Sequence, residues 1–127
     1  MERFFWVCLA GAAGTGARYL VGVWTAERFG VSFPYGTLIV NVVGCFLIAL
    51  VMHLALSTAA FPPNLRFALA TGFIGGLTTY SSFNYETTAL LEAGASRAAA
   101  LYAAATIAGA FAAGWLGTMV ARLLLGR

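Results

Sequence analysis

A bundle of four membrane-spanning helices is the architecture this chain predicts, on three observations. Of its 127 residues, 61% are hydrophobic and only 9% charged, whereas soluble domains carry roughly a quarter charged residues. The apolar residues gather into four long segments, each near the ~20 residues a helix needs to cross a bilayer. Short clusters of glycine, proline, serine and charge separate the segments. Residues 1–127 are therefore expected to form a single integral membrane domain, with no room for a second.

The first span is expected over residues 4–24. Glu2 cancels Arg3 where a cleaved signal peptide would be basic, and the apolar run from Phe4 to Ala13 continues through Gly14 and Gly16 past Arg18. That pattern reads as a retained helix rather than a removed leader. Glu27, Arg28, Gly30, Ser32 and Pro34 mark a turn before the second span, 35–56. The stretch from Ser57 to Asn64, with Pro62 and Pro63, precedes the third span, 65–91. A turn around Gly94 leads into the fourth, 96–125.

Linkers this short make successive spans antiparallel and put both termini on one face, side A. Arg3, Arg66, Arg122 and Arg127 lie toward side A; Arg28 and Arg97 lie toward side B, with Arg18 close by. Orientation is read from such a bias, and four against three is almost none. The chain is thus expected to insert in both orientations. Small residues recur at the spacing that lets membrane helices approach closely: Ala10 and Gly14; Gly72 and Gly76; Gly109, Ala113 and Gly117. Four short helices enclose little volume, so an oligomer is expected.

Several function classes are excluded. All basic residues are arginines, all acids are glutamates, and nothing forms the charge clusters that grip nucleic acid. Cys8 and Cys45 make neither a disulfide framework nor a metal set. No nucleophile with a base and no cofactor motif suggests an enzyme. His53 near the side-A end of the second span reads as an inert interfacial residue, and Trp6, Trp24 and Trp115 as anchors or packing.

Polar groups inside the bilayer are costly and therefore informative. Counting along the helices places Arg18, Thr37, Asn41 and Glu86, from three different spans, at one depth toward side B. An arginine there needs an acceptor, which makes Arg18 and Glu86 the expected pair. In the third span, Gly75-Gly76-Leu77-Thr78-Thr79 makes a poor continuous helix, since glycine costs about 1 kcal/mol relative to alanine. A break near the bilayer midplane is expected, with freed carbonyls able to coordinate a cation. Beyond it, Thr79, Tyr80, Ser81, Ser82 and Phe83 offer hydroxyls and ring edges. Together with the Asn41 amide they suit a small anion, because they donate hydrogen bonds without a fixed positive charge to trap it.

Three motifs carry a family resemblance: Gly75-Gly76-Leu77-Thr78-Thr79-Tyr80-Ser81-Ser82-Phe83; Gly36-Thr37-Leu38-Ile39-Val40-Asn41; and Gly14-Thr15-Gly16-Ala17-Arg18-Tyr19. In order and spacing the chain closely resembles the Fluc (CrcB) fluoride channels of microbes. The resemblance implies an all-α antiparallel dual-topology homodimer with two pores, passing fluoride passively out of the cell as a resistance device from the bacterial inner membrane. It also implies a structural sodium ion at the dimer centre, held by backbone carbonyls of Gly75 and Thr78. The family's phenylalanine box maps onto Tyr80 and Phe83, its pore asparagine onto Asn41, and its polar track onto Tyr102 and Thr106. Arg18, Thr37 and Glu86 match its conduction-associated polar cluster. Tyr80 departs from the commoner phenylalanine.

Two rival readings differ in class. A small multidrug transporter also has four short spans, yet it needs a carboxylate embedded in the first span, and Glu2 and Glu27 only flank it. A non-conducting assembly subunit predicts no ion flux from the purified chain.

Overall fold

The computed structural model of the chain describes residues 1–58 and 61–126. Arg127, counted above on side A, and residues 59–60 of the linker before the third span lie outside them. The described residues are helical nearly throughout. Helix α1 spans Glu2–Phe29 and α2 spans Tyr35–Ser57. The third span begins as Pro63–Phe67, continues as a π-helical stretch Ala68–Ile74, and ends its first half at Gly75–Leu77; this composite rod is α3. Its second half, α4, is Tyr80–Glu92, and α5 is Ser96–Leu124. Helices α1, α2 and α5 are each long and apolar enough to cross a membrane, and the third crossing is divided between α3 and α4.

The expected break falls at Thr78 and Thr79, whose backbones are extended at φ −86°, ψ 155° and φ −153°, ψ 115°. The glycines before it remain helical. Their role is contact: α1 lies on α3, and α2 lies on α5. A Cβ on Gly14 would collide with the Phe73 carbonyl, and one on Gly76 with the Gly11 carbonyl. A Cβ on Gly72 would stand 2.7 Å from the Val7 carbonyl oxygen. The same logic holds between α5 and α2, where Gly117 faces the Phe46 carbonyl. Small residues thus bring backbone against backbone, which is how helices associate when lipid removes the hydrophobic drive.

These contacts also fix direction. Residues rising from Val7 to Thr15 meet residues rising from Gly72 to Gly76, so α1 and α3 run parallel; Val42 to Ala49 meet Gly109 to Gly117, so α2 and α5 do too. The chain therefore crosses up, down, up and down, as the short linkers require.

Candidate functional site

The break is held open by one side chain. At Thr79 the chain leaves the helix, so its backbone N–H no longer meets the Gly75 carbonyl. It donates instead to Asn41 Oδ1 at 2.8 Å, and the Asn41 amide donates back to the Thr79 carbonyl at 3.0 Å. Asn41 can reach because Gly44, one turn further along α2, has no side chain where the Thr78 methyl packs. A polar backbone inside a membrane needs such partners. Thr79 then caps α4: its Oγ1 accepts the Ser82 N–H at 3.2 Å, as an N-cap threonine does. The same hydroxyl donates to Ser82 Oγ at 3.0 Å and lies 3.1 Å from Ser81 Oγ.

Two carbonyls lose their usual helical donors in this rearrangement. The donor for Gly75 is the Thr79 N–H, now on Asn41; the donor for Thr78 is the Ser82 N–H, now on the Thr79 hydroxyl. These are the two oxygens expected to face a cation, and Gly75 is exposed. Oxygen donors of this kind suit a hard cation such as sodium.

Beside the break lies an open groove of about 440 Å³, bordered by Asn41, Thr78, Thr79, Tyr80, Phe83, Thr106 and Phe111. It is mostly apolar, and Tyr80 and Phe111 are 79% and 78% exposed along it. The Tyr80 and Phe83 rings stand 5.7 Å apart, and Phe83 is 5.3 Å from Tyr102. Thr106 is buried, and among the described residues its Oγ1 has no hydrogen-bond partner. In a helix a threonine hydroxyl commonly bonds the carbonyl one turn back, as Thr87 and Thr118 do here. The Thr106 hydroxyl is left free.

Of the expected path residues, Asn41, Thr79, Tyr80, Phe83 and Thr106 border this groove. Ser82 does not: it turns to a second cleft of about 320 Å³ with Arg18, Thr37 and Thr79. Tyr102 is fully buried.

The expected Arg18–Glu86 pair is corrected. Both carboxylate oxygens of Glu86 are taken by hydroxyls: Thr37 donates to Oε1 at 2.8 Å and Tyr102 to Oε2 at 2.6 Å. Arg18 lies in the cleft with Thr37, one neighbour removed from the acid. Equal depth placed the two residues at one height, but the azimuth of each helix decides contact, and Tyr102 of α5 stands nearer. Two charge-assisted hydroxyl bonds hold the carboxylate where an ion pair was expected.

One neighbour of this constellation had no sequence signal beyond being an aromatic beside a proline. Phe33, in the loop between α1 and α2, packs edge-to-face on Tyr102 at 5.5 Å and 80°. With Glu86 and Thr37 it lines a third cleft of about 250 Å³.

The family described as "CrcB-like protein, Camphor Resistance (CrcB)" matches residues 5–118. The chain is 53% identical over 126 residues to a protein of Anaeromyxobacter dehalogenans strain 2CP-1 named fluoride-specific ion channel FluC, covering 99% of this chain and 100% of that one. It is 50% identical over 125 residues to the FluC of Sorangium cellulosum strain So ce56, covering 98% of each. The FluC of Citrifermentans bemidjiense is 46% identical over 124 residues, 98% of this chain and all of that one.

Proposed function

The chain belongs to the CrcB-like family of fluoride-specific ion channels, and on that premise we propose a passive fluoride pathway built from the groove beside the α3–α4 break. It is a multi-pass membrane channel and not an enzyme. The finer reading is that fluoride passes the Tyr80 and Phe83 rings and then the Thr106 hydroxyl, beside Tyr102, whose own hydroxyl hydrogen is held by Glu86. The free Thr106 hydroxyl is the observation that carries it: a buried donor with no protein acceptor costs about 1–3 kcal/mol, a cost that a permeating anion relieves.

Fluoride holds its water strongly, so a path must replace that water with donors at every step. Hydroxyls and ring edges do so, and neither binds the ion so tightly that it stops. Asn41 spends its oxygen and one amide hydrogen on Thr79. Its second amide hydrogen is uncommitted and available at the groove. Thr79 and Ser82 serve the path by capping α4, and Arg18, Thr37 and Glu86 form the polar vestibule toward side B.

We read the open groove as the surface covered by a second, inverted copy, which completes two pores per dimer. Exposed Gly75, Tyr80, Ile107 and Phe111 along it, and the near balance of arginines on the two faces, support that reading. The Gly75 and Thr78 carbonyls of two copies would hold a structural sodium ion, fixing the breaks against each other. Residues 1–127 act as one integral domain in the bacterial inner membrane, exporting fluoride and conferring resistance.

The test is passive efflux from liposomes loaded with fluoride or with chloride. Rapid fluoride loss without chloride loss, weakened by Phe83→Ile and Asn41→Asp, is expected. No flux from folded dimer overturns the channel and favours a non-conducting subunit. Proton-driven uptake of organic cations would point instead to a multidrug-type transporter.

A further inference from the structure

We propose that Phe33 closes the side-B end of the fluoride pathway and that the size of its side chain sets how fast fluoride passes and how well chloride is refused. The proposal rests on the channel reading above. Phe33 belongs to no helix; it stands between Phe29 and Tyr35 in the loop that joins α1 to α2.

The loop holds its backbone firmly. Gly30 turns the chain at φ 80° while its N–H donates to the Ala26 carbonyl at 2.9 Å. The Tyr35 N–H donates to the Phe33 carbonyl, also at 2.9 Å. Pro34 follows directly and fixes its own φ near −82°. With the backbone tied on both sides, movement at Phe33 falls to its ring, which rests on the Tyr35 ring at 4.8 Å.

That ring occupies a specific boundary. On one side Tyr102 is fully buried, carries its hydroxyl to Glu86, and touches Phe83 of the groove. On the other side Glu86 and Thr37 face the third cleft, which the loop roofs. Phe33 touches the Tyr102 ring and lines that cleft, so its ring stands between the Tyr102 ring and the space of the cleft. A ring-centroid separation of 5.5 Å at 80° is van der Waals contact. No ion fits between the two rings without displacing one, and a rotamer change of Phe33 is the smaller movement, because Tyr102 is anchored by Glu86. Such side-chain steps occur on fast timescales and open a small gap that the smaller fluoride fits more readily than chloride.

The prediction is a graded series at one position, read as fluoride and chloride efflux from liposomes with the full-length dimer. Phe33→Ala is expected to raise fluoride efflux about three- to tenfold and to admit measurable chloride, a tenfold change being about 1.4 kcal/mol in barrier. Phe33→Leu should fall between alanine and wild type, and Phe33→Trp should lower efflux below wild type. If alanine prevents folding, the leucine, wild-type and tryptophan proteins still give the order. Equal fluoride efflux from the folded variants, with chloride still refused, overturns the proposal. So does efflux lost in alanine and restored in leucine, which would make Phe33 a support for Tyr102 and not a constriction. A wild-type protein that passes no fluoride would instead sink the channel reading itself.

Discussion

Asn41 and Thr79 are joined at both ends of one amide: the Asn41 carbonyl accepts the Thr79 N–H at 2.8 Å, and the Asn41 amide donates to the Thr79 carbonyl at 3.0 Å. This two-way bond substitutes a side chain for the helical hydrogen bonds lost at the break. Replacing Asn41 by Ala orphans both Thr79 groups, at about 1–3 kcal/mol each when buried. Asn41→Asp keeps the acceptor and loses the donor. Thermal unfolding in detergent should rank wild type above aspartate above alanine, and fluoride efflux should fall at least tenfold in both variants. A Thr79 contact without consequence would leave the melting temperatures equal.

The free hydroxyl of Thr106 separates conduction from stability. Thr106→Val keeps the shape and removes a buried group that has no partner in the protein. Stability should hold or rise, because no internal bond is lost, while fluoride efflux drops by about tenfold, the loss of roughly 1.4 kcal/mol at one step. Unchanged efflux at unchanged stability would remove Thr106 from the path.

Tyr80 is 79% exposed, and its ring stands 5.7 Å from Phe83. On the proposed path the ring edge is what meets the ion, so Tyr80→Phe should conduct at least as well as wild type. Tyr80→Ala removes the edge and should slow efflux. Efflux abolished by the phenylalanine change would show that the phenol hydroxyl is required.

Two glycines of α1 two residues apart should behave oppositely. Gly14 has no room for a Cβ against the Phe73 carbonyl, whereas nothing lies within 4 Å of one on Gly16. Gly14→Ala should cost about 1–3 kcal/mol or more by overpacking. Gly16→Ala should be neutral or gain up to about 1 kcal/mol from helix propensity. Gel filtration and thermal unfolding of the two variants measure the contrast.

Much of the architecture was legible because bilayer length and apolar composition leave few alternatives. The four crossings, the small-residue faces that carry Gly14, Gly72 and Gly117, and a break near the paired glycines follow from spacing, whereas which helix each face meets does not. The π-helical stretch Ala68–Ile74 was not legible, since no composition distinguishes one hydrogen-bond register of a helix from the next. Depth could be counted but azimuth could not, so Glu86 was assigned to Arg18 when Thr37 and Tyr102 stood closer. Nor did the sequence separate Ser82 from the groove: a shift of one helical position turns a side chain by about 100°, enough to send it to the opposite cleft.

Interlaced pairing has a consequence for biogenesis. The tight partner of α1 is α3, and that of α2 is α5, so each intimate contact skips over an intervening span. A nascent chain that has inserted its first two helices has completed neither pair. One is satisfied when α3 enters and the other only with the final helix, so the ribosome must finish nearly the whole message before α2 finds its mate. A polypeptide stopped short of Ser96 carries an α2 whose Val42 side chain and Cys45 and Phe46 carbonyls lack Gly109, Gly114 and Gly117, an unfinished surface for quality-control proteases to recognise.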